Sequence, residues 1–351
     1  MDSSSHSIWR ASQALVWLVG LVILLALWLW PPIGIHAFWN VLIPVAPALL
    51  VFGTGIWRNV CPMSGNALLL RHLGRSKREA LSPTKQLALQ WIGLLLLLAI
   101  VPLRHVILDT NGPATAWVIG GLTLLAIWAG NRWEWKSGWC SSLCPVHPVE
   151  KLYGVDNIGT IPNMHCTACE KCVDPCPDST EGFHLQHPDL DAGRRQLGTL
   201  MAGGFPGFIW GWFQVQDYSD GTGWNHLLEA YAWPLLGMVA SLGVFCILRS
   251  ACSARMDPER GPERLTRFFG ALGVSCYYWY RLPMLFGFGP FPGDGMLVDL
   301  RSDLPEWFPL ASQACTTTLF FWWMVLRKRN TKSWSQRPAY ADPGMVDFSQ
   351  F

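Results

Sequence analysis

Charge is scarce in this chain. Lysine, arginine, aspartate and glutamate make up 14% of its 351 residues, against about a quarter in an average soluble domain. That shortfall excludes an ordinary water-facing surface. No basic stripe interleaved with aromatics is present, so no nucleic acid is expected as a partner. The sequence also lacks a glycine-rich dinucleotide fingerprint, a flavin motif, a P-loop and a C-x-x-C-H haem-attachment site, so nothing in it announces NADH, flavin, ATP or c-type haem. No methionine-rich copper motif is found. No small-x-small cleavage site follows the first apolar run, which is too long for a signal-peptide core and reads as a retained anchor.

What the chain has instead is apolar surface. It is 51% hydrophobic with 21 tryptophans, many of them near the ends of apolar runs, as in interfacial aromatic belts. Eight apolar stretches stand out: 11–30, 38–56, 87–103, 114–129, 197–213, 230–248, 268–286 and 310–326. A helix needs about 20 residues to cross the hydrocarbon core. These stretches predict an all-α polytopic membrane protein of about eight transmembrane helices, with the lipid bilayer as its first partner. The fifth stretch is glycine-rich and holds Pro206, and the seventh carries Arg281 and Pro283. Either of these two also reads as re-entrant or interfacial.

Charge placement orients that scheme. With the N-terminus inside, the inner segments 1–10, 57–86, 130–196, 249–267 and 327–351 hold 1, 6, 6, 5 and 5 of the 26 Lys and Arg. Arg104 and Arg301 fall outside, with Asp217, Asp220, Asp294, Asp299, Asp303 and Glu306, and Arg281 lies within a helix. This is the positive-inside asymmetry, and it predicts both termini in the cytoplasm. None of the 11 cysteines lies in an outer loop. In a reducing compartment that favours metal ligation over crosslinks.

One short stretch carries the chemistry. Cys166, Cys169, Cys172 and Cys176, followed by Pro177, form C-x2-C-x2-C-x3-C-P, the bacterial ferredoxin run for a [4Fe–4S] cluster. Three cysteines two residues apart can present three thiolates to three irons of one cube. The fourth is thrown further out and in two-cluster ferredoxins ligates the other cube. Zinc is the bland alternative, but zinc sites usually pair two C-x2-4-C knuckles or one with histidines. On the charge scheme the run is a small cytoplasmic ferredoxin-like insert. The chain then divides into a four-helix membrane region 1–130, a cytoplasmic iron–sulfur segment 131–196, a second four-helix region 197–330 and a cytoplasmic tail 331–351.

A partial repeat flanks the run. The second apolar stretch ends in Trp57-Arg58-Asn59-Val60-Cys61-Pro62, and the fourth is followed by Cys140-Ser141-Ser142-Leu143-Cys144-Pro145. Aligned on Cys-Pro, Trp57 falls where Cys140 stands. With these motifs the sequence resembles the membrane-bound ferredoxins of the NapH and NosR group, which includes the CcoG-type oxidase-assembly proteins. Their hallmark is helical hairpins ending in C-x3-C-P together with cytoplasmic ferredoxin runs. The resemblance covers about residues 11–180. It departs in offering one ferredoxin run where members commonly carry two, and the last four helices have no counterpart. The resemblance implies membrane electron transfer in a bacterial inner membrane, through iron–sulfur chemistry.

Ligand supply leaves alternatives. Cys166, Cys169 and Cys172 are read as ligands of one cluster, with Cys176, Cys144 or Cys61 as the fourth. A second cluster is arithmetically open to Cys140, Cys144, Cys61 and Cys176, with Cys252 to spare. Equally, Cys61 and Cys252 can be buried thiols that pack as small hydrophobes. Cys246, Cys276 and Cys315 lie inside apolar stretches without partners and read as packing residues. His147 and His165 sit beside cysteines and read as loop residues or as hydrogen-bond donors to cluster sulfur. His184 and His187 read as part of a solvated acidic loop. His36, His105 and His226 fall near outer helix ends. Facing histidines there could hold a haem or hydrogen-bond a quinone, or mean nothing. Arg281 within an apolar span is costly and so is a functional candidate, for quinone or for a lipid headgroup.

The acidic surroundings of the run, Asp156, Glu170, Asp174, Asp178 and Glu181, would steer a basic redox partner protein to the cytoplasmic face. The expected function is relay of electrons between a quinone pool or soluble donor and a partner oxidoreductase. The alternative is an assembly or maturation factor that reduces a metal or thiol for a partner enzyme.

Overall fold

The computed structural model describes residues 3–134, 136–154, 158–162, 164, 183–218, 221–253, 260–328 and 335–336. Eleven α-helices of five residues or more are found among them: α1 Ser3–Leu29, α2 Pro31–Ile35, α3 Ile43–Val60, α4 Pro62–His72, α5 Pro83–Leu103, α6 Gly112–Arg132, α7 His147–Tyr153, α8 Ala192–Trp212, α9 Leu227–Ser253, α10 Arg260–Leu285 and α11 Phe308–Phe321. Residues Ile161–Pro162 (β1) and Ser335–Gln336 (β2) pair as a short parallel ladder. The sequence explains several of the starts. Ser82, Asn111 and Asp191 each accept a hydrogen bond from a backbone N–H in the first turn of the helix that follows, which satisfies an otherwise orphaned donor. Pro62 and Pro83 begin α4 and α5, where the missing N–H costs nothing.

Every one of the eight apolar stretches falls largely within helix. Among the described residues, five helical segments are long and apolar enough to cross a membrane: Ser7–Leu29, Pro31–His72, Pro83–Leu108, Gly112–Arg132 and Thr222–Ala251. The second of these is 42 residues long but is not one rod, because Cys61 leaves helical geometry with φ −56° and ψ 119°. The chain is therefore an all-α membrane protein, and five of the spans that the sequence suggested meet that length and apolarity among the described residues. α8 opens on Arg194 and Arg195 and is glycine-rich, and α10 carries Arg260, Glu263, Arg264, Arg267 and Arg281. Leu15, Trp17, Leu18, Val22, Leu25, Trp28 and Leu29 of α1 are exposed. An apolar face of that size on one helix suits lipid rather than water.

The glycine-rich α8 is a continuous helix, not a break. Gly203, Gly207 and Gly211 recur every four residues on the side that meets α9. A Cβ at Gly207 would strike the Gly237 carbonyl, and one at Gly211 would strike the Trp233 carbonyl. Small residues at this spacing let two helix backbones approach closely. α4 crosses α6 in the same way, with Gly130 against the Ala67 carbonyl.

Part of the segment between α6 and α8 is described. Residues 138–154 are packed among the helices rather than spread over a cytoplasmic surface. Trp139, Leu143, Leu152 and Tyr153 are at most 3% exposed. A π-helical turn, Lys136–Leu143, lies along α5 with the Ser142 carbonyl against Gly93. α7 sits in the central core with Leu50, Val51, Met201, Phe205, Phe208, Phe245 and Phe269. Three further π-helical turns occur, His36–Leu42, Arg104–Leu108 and Trp322–Leu326. Such turns are rare and often mark functional positions, and three of the four border the two sites described next.

Candidate functional site

Three cysteines meet beneath α3. Cys61 is the N-cap residue of α4, with the Met63 and Ser64 amides near its sulfur but no side-chain cap hydrogen bond. Cys144 leaves the Lys136–Leu143 turn, with the Val146 amide near its sulfur. In both places the cysteine precedes proline, which turns the chain and leaves the next amides aimed back at sulfur. Cys140 and Cys61 both lie within electrostatic reach of Cys144. Cys140 is buried, whereas Cys61 and Cys144 are half-buried. Burial, with those two neighbours, pushes the Cys144 thiol well above its usual range. A thiol so placed stays protonated until a cation replaces the proton.

Among the described residues no group of three or more His, Cys, Asp or Glu converges on one metal ion. A cube differs from a single ion because each thiolate binds a different iron. Neighbouring thiols with backbone amides near two of the sulfurs are chemistry of the kind that such a cluster uses.

Cys166, Cys169, Cys172 and Cys176 lie outside the described residues, as do His165 and the acidic residues Asp156, Glu170, Asp174, Asp178 and Glu181. The entry to the run is nevertheless fixed. The Met164 amide donates to Asn59 Oδ1 at 3.1 Å, and Asn59 stands two residues before Cys61. Its carbonyl in turn accepts Gln13 Nε2 at 2.7 Å. Met164, two residues before Cys166, is thus held beside the C-terminal end of α3.

The other cysteines stay apart, with Cys246 and Cys315 exposed and Cys276 half-buried in α10. The side chain of Cys252 is outside the described set. His147 is half-buried. His184 is buried within a turn where its Nδ1 accepts the Gln186 amide at 3.2 Å, and His187 pairs with Asp189 at 3.5 Å.

A second polar centre lies at the other end of α5. It gathers Arg104, His105, Asp109, Asp217, Asp294 and Arg281. His105 Nδ1 meets Asp217 Oδ1 at 2.6 Å, while its Nε2 is buried without a hydrogen-bond partner. The imidazole packs on Trp212 at 4.7 Å between ring centres. Arg104 donates from Nε to Asp109 Oδ1 at 3.0 Å, and its Nη2 lies 3.5 Å from Asp217 Oδ2. Its guanidinium is 5.5 Å from the Trp39 ring and 5.1 Å from the Trp212 ring, which adds cation–π attraction.

Arg281 is wholly buried and donates from Nη2 to the Trp39 carbonyl and to Asn40 Oδ1, each at 2.7 Å. Asn40 Nδ2 reaches His36 Nδ1 at 2.8 Å, so His36 joins the centre through Asn40. The loop after α10 closes over both arginines. A Cβ on Gly295, whose φ is +56°, would strike Arg281 and come within 3.1 Å of Arg104 Nη2, so glycine is required there. His226 stands aside, stacked on Tyr218 at 4.1 Å and 3.4 Å from Glu229. His36, His105 and His226 therefore do not face one another.

The electrostatics of this centre are uneven. Burial alone would raise the Asp217 carboxyl, but the Arg104 guanidinium and the His105 contact outweigh it and hold the group far below the usual carboxylate range. Burial raises Asp109 despite Arg104. Burial also pushes Asp294 up to about 6, against the Asp217 amide that donates to it. An ionised aspartate therefore orients a buried imidazole whose second nitrogen is unengaged, the arrangement of a proton acceptor held in one tautomer.

Sequence reasoning singled out His105, His36 and Arg281 but counted Arg104, Asp217 and Asp294 only as outer charges and did not name Asp109. Two of the expected contacts belong to one centre, and His36 is tied to it. Gly93, which touches the Ser142 carbonyl, and His105 are 12 residues apart on one helix, about 18 Å at 1.5 Å per residue. Comparison with protein-family models, curated proteins and solved structures finds no match for this chain.

Proposed function

We propose that the chain is a membrane electron-transfer protein of the NapH/NosR/CcoG-like kind, holding a [4Fe–4S] cluster on Cys166, Cys169 and Cys172. Cys176, Cys144 or Cys61 supplies the fourth ligand, and a second cluster is open to the thiols left over. When bound, such a cluster takes up and returns one electron at a time. The observation that supports the reading is the Met164–Asn59 hydrogen bond, which holds a residue two before Cys166 to one two before Cys61, whose neighbour Cys144 also adjoins Cys140. In this proposal the chain crosses a bacterial inner membrane eight times, with both termini and the ferredoxin run in the cytoplasm. The acidic run then presents the cluster to a basic partner oxidoreductase.

The electron source or sink at the opposite end is a quinone. Oxidising a hydroquinone releases protons as well as electrons, so a proton acceptor is needed. His105 Nε2 is available for this, its other nitrogen fixed by Asp217. Arg281 and Arg104 supply buried donors for quinone oxygens, and Trp39 and Trp212 supply flat walls. Setting the cysteines at the level of Gly93 shortens the path from that end.

The test is exchange of electrons with a short-chain quinone couple, followed by the visible absorbance of the cluster in purified protein. Wild type is expected to exchange, and His105→Phe to exchange at least about 100-fold more slowly, the low end for loss of a general base. Equal rates in wild type and His105→Phe, at equal iron content, would remove the quinone from the proposal.

A further inference from the structure

Beside the three membrane cysteines lies a set of charges shut off from water. Arg58 ends α3, and Glu150 and Lys151 lie on α7. Their exposures are 6%, 4% and 2%. Arg58 Nε meets Glu150 Oε1 at 2.7 Å, and Lys151 Nζ meets the same oxygen at 3.1 Å. Arg58 Nη2 also reaches the Cys140 carbonyl at 3.5 Å. Both Arg58 and Glu150 act electrostatically on Cys61, and Glu150 also on Cys144.

Holding α3 to α7 does not call for this arrangement. Buried ion groups are a poor source of stability, since apolar side chains of similar volume usually do as well or better. What distinguishes the place is its neighbours. Thiolates bound to iron form a net negative centre that becomes more negative on reduction. Fixed charges in a low-dielectric setting act strongly on such a change, and net charge and burial are among the levers that set iron–sulfur potentials.

We infer that Arg58, Glu150 and Lys151 are positioning charges that set the reduction potential of whichever cluster takes a thiolate from Cys61 or Cys144. The inference rests on the iron–sulfur reading above. It makes a signed prediction. Glu150→Gln removes a negative charge, favours the reduced state and raises the potential. Lys151→Met removes a positive charge of nearly the same shape and lowers it. A merely structural role would move both variants the same way or neither.

The experiment is a redox titration followed by EPR on the full chain in detergent, at one pH, with iron counted in each sample. Cys61→Ser and Cys144→Ser identify the signal to follow as the one that they alter. The expected result is a shift to more positive potential in Glu150→Gln and to more negative potential in Lys151→Met, both at wild-type iron content. Shifts of the same sign, or no shift in either variant, overturn the inference and leave the iron–sulfur reading standing. If Glu150→Gln does not retain iron, Lys151→Met decides alone, and an unmoved potential there refutes the role. Wild-type protein without iron and sulfide overturns the function itself and the inference with it.

Discussion

Changing Asp217 to asparagine removes one negative charge from the centre at the end of α5 and leaves its shape. The carboxylate, 9% exposed, lies 2.6 Å from His105 Nδ1 and 3.5 Å from Arg104 Nη2. At an effective dielectric of about 20, a charge pair at the longer distance is worth about 5 kcal/mol before desolvation is counted. Two things reduce the loss. Arg104 keeps Asp109 at 3.0 Å, and the asparagine oxygen can still accept from His105, a neutral bond worth about 1 kcal/mol. Losing one partner of a buried ion pair typically costs about 3–5 kcal/mol, so the expected loss is about 2–3 kcal/mol, or roughly 30- to 150-fold in the unfolding equilibrium. The assay is unfolding in mixed micelles, with Asp299→Asn as control. Asp299 also pairs with an arginine, Arg301 at 2.7 Å, but on the surface, and surface pairs contribute little. If Asp217→Asn unfolds at the same midpoint as wild type and Asp299→Asn, the Arg104–His105–Asp217 centre is not the electrostatic unit described here.

Other outcomes follow from the same geometry. Asp294 has a folded value raised from 3.8 to about 6, so the native state holds its proton more tightly than the unfolded chain. Its contribution is full below about 4 and is lost as pH rises through about 6; unfolding midpoints measured over that window should fall in wild type and fall less in Asp294→Asn. Gly207→Ala places a methyl against the Gly237 carbonyl and should cost about 1–3 kcal/mol, whereas Gly243→Ala, with open space around it, should leave the midpoint where it is or raise it slightly. Iron content should fall in Cys61→Ser or Cys144→Ser where that thiol serves a cluster, in both if a second cluster is present, and stay at the wild-type value in Cys276→Ser, because Cys276 is a free cysteine within α10.

The helices were the legible part of this fold, because a bilayer demands long apolar runs and little else satisfies backbone groups in lipid. Aligning the two Cys-Pro endings suggested a duplicated hairpin, and Cys61 lies within electrostatic reach of Cys144. The path of residues 138–154 was less legible. The sequence placed them in a cytoplasmic iron–sulfur segment, and their packing shows only through the Ser142 carbonyl against Gly93 and the Leu152 carbonyl against Gly270 of α10. The glycines of α8 suggested a broken span, yet their four-residue spacing is a packing seam. The polar centre was hidden for a different reason. Arg104, Asp217 and Asp294 are more than 70 residues apart from one another in sequence, and each alone looks like a solvated charge at a helix end.

The central claim is that residues 166–177 hold an iron–sulfur cluster beside Cys61, Cys140 and Cys144. Anaerobic purification with iron and acid-labile sulfide counted per chain tests it most directly, with an EPR spectrum after reduction. The account predicts iron and sulfide in equal amounts, about four of each for one cube or about eight for two, with both lost in Cys169→Ser. Zinc in place of iron, with no sulfide and no EPR signal, would contradict it.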